Sequence, residues 1–195
     1  MPVKVTLVKC PSCGKPIQGT ADRVFICDCG VAHTRDDAGT KTLRYEVAAP
    51  NPQAVAQAEP VYVPIWKINT NVAILRERSE GGFFNKLFGD NWKGGAVTIY
   101  VPAVEWDPQS WKHWSQTLTA KPPQYAPQQG FGARKRMAAV LDVEQAKQLA
   151  DFIVLTYEAE KPGVLQDIAY EVKVNDTSLL YLPFVQLPSG FTLAL

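Results

Sequence analysis

Lys9–His33, KCPSCGKPIQGTADRVFICDCGVAH, holds all four cysteines of the chain. They fall in two close pairs, Cys10-Pro-Ser-Cys13 and Cys27-Asp-Cys29, and a glycine follows each pair, Gly14 or Gly30. A disulfide framework usually scatters its cysteines, whereas close pairs deliver thiolates to one point, so the pattern favours a metal ion over cross-links. Pro11 and Gly14 shape a tight turn, and Gly14 can take the left-handed backbone that aims an amide back at a sulfur. Val3, Val5 and Leu7 alternate with polar residues as a short half-exposed strand leading to Cys10. Val24, Phe25 and Ile26 form a second strand running into Cys27. Residues two apart in an extended chain face the same way, so Cys27 and Cys29 can share one ion. Four thiolates in a tetrahedral arrangement suit a structural zinc.

On these residues, CPSCG followed by CDCG resembles a zinc ribbon with rubredoxin-type knuckles on two hairpins, covering roughly the first quarter of the chain. The resemblance implies a structural Zn2+ held by Cys10, Cys13, Cys27 and Cys29. The first knuckle matches the pattern. The second departs from it, because one residue rather than two separates Cys27 from Cys29, and His33 is therefore an alternative ligand in place of either. Two other chemistries compete. A redox dithiol would need a helix after Cys13, which Gly14, Pro16 and Gly19 oppose. Rubredoxin-like iron is opposed by the irregular second knuckle.

Outward from the cysteines, Thr42 to Val47 is expected to add a closing strand, giving a ribbon over 1–47. AAPNPQAVAQAEP, residues 48–60, is rich in Ala, Pro and Gln and reads as an exposed, semi-extended linker. The character changes at Val61. VYVPIWKI is apolar, β-branched and aromatic, as a buried strand is. Asn69-Thr70-Asn71 reads as a turn and VAILRER as the returning strand. AVTIYVPAV is a further strand, 164–174 and 179–186 a hairpin over Asn175-Asp176-Thr177, and FTLAL a last short strand. Val63-Pro64, Val101-Pro102 and Leu182-Pro183 put proline near strand ends, edges or bulges, because proline cannot donate to a ladder. Asp107-Pro108 caps a helix to about Thr119, with Trp111, Trp114 and Leu118 on one face. Asp142 and Gln145 form a capping box for a second helix to about Glu158, with Ala146, Leu149, Ala150, Ile153 and Tyr157 along one stripe. The fold class expected is α+β: a small N-terminal zinc ribbon, then a mainly antiparallel sheet domain over 61–195 with two principal helices.

The chain has 195 residues, enough for a medium domain and a small one, with 46% hydrophobic and 20% charged residues, as in ordinary globular proteins. Formal net charge is +1, so no global field draws it to nucleic acid or anionic lipid. The opening MPVKVTLVKC lacks the apolar core of an export signal, and no stretch approaches the ~18 consecutive apolar residues of a membrane span, so a cytoplasmic location is expected.

Candidate contact surfaces lie beyond the cysteines. Phe83, Phe84, Leu87, Phe88 and Trp92 crowd the segment GGFFNKLFGDNWKGG, either as an aromatic lip for a partner or as rings folded over the sheet. Trp106, Trp111 and Trp114 at helical spacing read as core rather than as a stacking platform. Arg134-Lys135-Arg136 is the dense basic run, a candidate anion contact or a solvated loop. With two histidines and no phosphate loop, nucleophile elbow or metalloprotease spacing, no catalytic constellation is legible and an enzyme is not expected. These features together suggest a zinc-ribbon adaptor or scaffold acting on a protein partner or on its own copies. A nucleic-acid-binding accessory protein, through Arg134–Arg136, and a peripheral membrane protein, through residues 81–95, are the alternatives.

Overall fold

The computed structural model describes residues 9–16, 23–36, 39–56, 58–77, 94–159, 168–188 and 190–195. Its fold is α+β with mainly antiparallel sheets, as expected. Near the N-terminus, β1 (Val24–Ile26), β2 (Ala32–Asp36) and β3 (Gly39–Leu43) form a small antiparallel sheet in that order. The strand expected before Cys10 lies outside the described residues except for Lys9, which bridges to Pro16.

The main sheet is built on two long strands, β5 (Val61–Glu77) and β7 (Ile168–Leu187), paired antiparallel along nearly their whole length. β6 (Gly94–Pro102) adds to β5. β4 (Tyr45–Val47) and β8 (Gly190–Leu193) add to the far side of β7, with β4 the parallel member. Two expectations are corrected here. The closing strand expected over Thr42 to Val47 is divided, with its first residues in β3 and its last three in the main sheet as β4. Neither Asn69-Thr70-Asn71 nor Asn175-Asp176-Thr177 is a turn. The two polar runs face each other across the β5–β7 ladder, where the register steps from Asn69↔Asp176 to Thr70↔Val174 and leaves Asn175 as the extra residue of a β-bulge. Small polar residues of this kind suit a turn, so their composition alone does not distinguish a turn from a bulged ladder.

The three prolines show how such long strands tolerate them. Pro102 ends β6. Pro64 sits where β5 changes neighbours. The Tyr62 amide donates to the Lys135 carbonyl, and pairing with β6 starts at Ile65, opposite Pro102. Pro183 sits in the corresponding gap on β7, between the last β4 pair, Val47↔Tyr181, and the first β8 pair, Phe184↔Leu193. Each missing N–H falls where no continuous ladder asks for it.

Alternation along the strands sends side chains to two buried faces. Tyr62, Trp66, Ile68 and Val72 of β5 join Val97, Ile99 and Val101 of β6 on one face. Helix α3 (Val143–Ala159) covers it with Ala146, Ala150, Ile153 and Val154. The other face carries Val63, Ile65, Tyr100, Leu180, Leu182 and Phe184, covered by Leu118 and Trp114 of α2 (Pro108–Ala120). Burial on both faces explains why VYVPIWKI reads as an unbroken apolar run. Trp106 and Trp114 pack edge to face on Phe184, with centroids at 5.6 and 4.8 Å, so these two belong to the core. Among the described residues, no helix is long and apolar enough to cross a membrane.

The cysteine-bearing sheet is held against the first face. Val24, Ala32 and Leu43 belong to the same buried cluster as Tyr62 and Trp66. The Arg23 amide donates to Ala139 and the Tyr45 hydroxyl to the Gly30 carbonyl. Parts of 48–60, expected as an exposed linker, are tied down. Ala48 is fully buried, with its amide on the Tyr181 carbonyl, and the Asn51 amide donates to Ala194. Asn51 caps a single helical turn, α1 (Pro52–Val55), accepting from the Gln53 amide.

Both long helices begin as their sequences suggest. Asp107 accepts from the Gln109 and Ser110 amides, and Asp142 and Gln145 exchange side chain–amide bonds of 2.9 and 3.0 Å in a closed capping box. Replacing either aspartate with alanine should cost about 1 kcal/mol in urea denaturation. The Asp107 carboxyl is held below its ordinary value by hydrogen bonds from Ser110. Its contribution is therefore present above the ordinary carboxyl range and lost as pH falls through the lowered value. The gap between wild type and Asp107→Ala should narrow in acid, and a gap that widens there would contradict this.

Candidate metal centre

The two knuckles close by the same hydrogen bonds despite their unequal lengths. In the first, the Gly14 amide donates to the Cys10 carbonyl and the Cys10 amide to Lys15. In the second, Gly30 donates to Cys27 and Cys27 to Val31. The shorter spacing is absorbed inside the turn, and Gly14 and Gly30 both take left-handed backbone, at φ 72° and 84°. Cys29 is thus delivered to the same point as Cys13.

The four cysteines are free, and their sulfurs all lie within 4.8 Å of one another. Cys10 Sγ is 3.7 Å from Cys29 Sγ, and Cys13 Sγ is 3.5 Å from Cys27 Sγ. A tetrahedral ion with sulfur bonds of ~2.3 Å sets neighbouring sulfurs ~3.8 Å apart, so the cluster fits one such ion with little adjustment. Cys10 and Cys27 are buried, Cys13 and Cys29 exposed.

Backbone amides surround the sulfurs as they do a thiolate–metal centre. Burial pushes the Cys10 thiol up, but the amides of Cys13 and Ser12, with the Cys13 and His33 side chains, outweigh it and bring it down to about 6. At Cys13 the Lys15 amide favours the thiolate, yet burial and the facing Cys27, Cys10 and Cys29 sulfurs prevail and push it up to about 12. Cys29 is raised too: the Val31 amide lowers it, but burial and the neighbouring Cys27 and Cys10 sulfurs prevail. Without a cation, one negative sulfur keeps its neighbours protonated. A divalent ion reverses that balance.

His33 stands beside this group, fully buried, with Nε2 3.2 Å from Cys10 Sγ. The mutual four-ligand cluster is the cysteines, and His33 is outside it.

The other sequence candidates are placed as follows. Phe83, Phe84, Leu87, Phe88 and Trp92 lie outside the described residues. Arg134, Lys135 and Arg136 serve separate contacts. Arg134 neighbours the buried Tyr62 phenol, the Lys135 carbonyl accepts the Tyr62 amide, and the Arg136 guanidinium lies 5.3 Å from the Phe131 ring centroid. Sequence reasoning missed a second feature, a cleft of about 630 Å³ between α2 and α3. Trp106, Trp111, Val140, Leu141, Leu149 and Phe152 give it an apolar lining, with Glu105, Lys112 and Gln116 as polar neighbours. The Trp111 indole donates to the Pro102 carbonyl, which fixes that ring in the wall. One signal was available: Phe152 falls off the buried stripe of α3 and is 57% exposed.

No protein-family model, curated protein or solved structure matches the chain.

Because Cys13 and Cys29 hold their protons at neutral pH, an ion must expel them. Calorimetric titration at pH 7 in buffers of different ionisation heat should show at least two protons released per ion, with affinity rising as pH is raised. Metal binding without net proton release would contradict the thiolate cluster.

Proposed function

We propose that the protein is a non-enzymatic zinc-ribbon adaptor, stapled by a structural zinc and receiving an apolar segment of a partner protein in the cleft between α2 and α3. The observation that carries the adaptor reading is the cleft. Its volume is typical of a ligand-receiving site, and its mouth displays Phe152 and Val140, two of the exposed large hydrophobics. Exposed apolar surface around a concavity marks an interaction site more often than a solvated face. Two helix stripes, Trp111–Ser115 on α2 and Leu149–Phe152–Ile153 on α3, border a groove of the kind that accepts side chains from an apolar helix. Near-neutral net charge agrees with a protein partner rather than a polyanion.

Zinc is the ion favoured by the closed four-thiolate set. It is held most often by sulfur and nitrogen in tetrahedral structural sites, and such sites supply folding energy directly. Val24, Ala32 and Leu43 tie the stapled sheet to the main core, so the staple supports the face on which α3 rests.

Elemental analysis of purified protein should give one zinc per chain, and a chelator should lower the melting temperature. Phe152→Ser and Val140→Ser should leave the protein folded by circular dichroism while abolishing co-purification of the partner that wild type retains. Partner retention by both variants would remove the cleft from the proposal. Sedimentation of the same proteins separates a second copy of this chain from a different partner.

A further inference from the structure

His33 is an unexpected residue for its position. It occupies β2, opposite Phe25 of β1, and its ring has no exposed surface. Its neighbour Ala32 turns to the main core, so His33 belongs to the opposite face, on the side of the cysteines. Nδ1 is buried without a hydrogen-bond partner, and among the described residues the ring's one polar contact is Nε2 to Cys10 Sγ at 3.2 Å. A leucine would fill the space and strand no nitrogen. An unpaired buried polar atom in a native fold calls for a ligand, a water or an ion.

The distances bear on the other ring nitrogen, Nε2. A tetrahedral zinc with bonds of ~2.3 Å to sulfur and ~2.0 Å to nitrogen places those two donors ~3.5 Å apart. Nε2 therefore stands to Cys10 almost as a fellow ligand would, in the same relation as Cys29, whose sulfur is 3.7 Å from Cys10. A fifth donor thus stands against Cys10, just outside the mutual set of four sulfurs, at a centre that takes four. The donors are not equivalent. Cys10 and Cys27 are buried, whereas Cys29 is exposed and is the second cysteine of the shortened knuckle. Ligating histidines normally donate their second ring N–H to a carboxylate or carbonyl, and Nδ1 of His33 has no such acceptor. That deficit ranks His33 behind the thiolates while they are all available.

We propose, resting on the zinc-centre reading, that His33 is a reserve ligand exchangeable with Cys29. With four thiolates bound, Nε2–H donates to the Cys10 sulfur. When Cys29 is removed or captured by an electrophile, the ring's single proton is exchanged through solvent from Nε2 to Nδ1, and Nε2 takes the vacant position as a neutral ligand, so the ion is retained as Cys3His. The site can then release a solvent-facing thiol without losing its staple.

Cobalt(II) substitution of the full chain tests this, since sulfur-to-cobalt charge-transfer absorption counts thiolates and the visible bands report nitrogen. Wild type and His33→Leu should each bind one cobalt with the four-thiolate spectrum. Cys29→Ser should still bind one cobalt, with charge-transfer intensity lower by about a quarter and the visible bands shifted as for three sulfurs and one nitrogen. Cys29→Ser/His33→Leu should lose that nitrogen signature and bind roughly 10-fold or more weakly than Cys29→Ser. Identical spectra and affinities for Cys29→Ser and the double variant would overturn the reserve role, with solvent or serine filling the position. So would loss of cobalt by His33→Leu alone, or a wild-type spectrum already showing nitrogen. A wild-type chain that binds no cobalt overturns the metal centre itself, a separate and recognisable failure.

Discussion

The pairing of β5 with β7 sets the terms for everything else in this molecule. Two strands of this length bury both faces for much of their run, so each face needs its own cover. α3 and the cysteine-bearing sheet cover one, and α2 with Tyr125 and Met137 covers the other. The fully buried Trp66 makes this concrete: its ring lies under the first layer, and its indole N–H reaches the Leu141 carbonyl just before α3 begins. A side chain of that size, desolvated and hydrogen-bonded, fixes where the following helix starts. The bulge at Asn175 and the proline gaps at Pro64 and Pro183 are local adjustments that let one ladder serve several partners.

The four-cysteine cluster depends on that frame. A three-stranded sheet this small has little core of its own, so its apolar side chains are shared with the main sheet, and its polar side gathers four sulfurs. An ion held there would supply folding energy to the sheet and, through Val24, Ala32 and Leu43, support to the face beneath α3. The division of the closing strand at Arg44 has the same cause. β3 completes the cysteine sheet, while β4 turns into the parallel position beside β7, so the two sheets are joined by one residue rather than by a free tether.

The cleft arises because α2 and α3 sit on opposite faces of the sheet and meet only past the end of β6, where Val104, Glu105 and Trp106 leave it. Helices on one face would close against each other. Helices on opposite faces leave an apolar gap that a sheet edge cannot fill, which gives the adaptor proposal its physical basis.

How much of this was legible depended on sequence range. Cys10, Cys13, Cys27 and Cys29 were readable as one cluster, and Asp107, Asp142 and Gln145 as helix starts, because turn chemistry and capping act within a few residues. The α+β class and the strand at Val61 followed from local composition for the same reason. What the chain alone left open were relations between distant segments. Asn69-Thr70-Asn71 carries a turn composition, and only its pairing with β7, where Asn175 is the bulged residue, makes it continuous strand. Residues 48–60 look like a linker until Ala48 finds Tyr181 and Asn51 finds Ala194. His33 is an alternative ligand by sequence, and β1–β2 pairing buries it beside Cys10 but outside the four-sulfur set. Residue spacing thus determined which atoms could act together locally; tertiary structure decided which surfaces were covered, because burial depends on what the rest of the chain brings to each face.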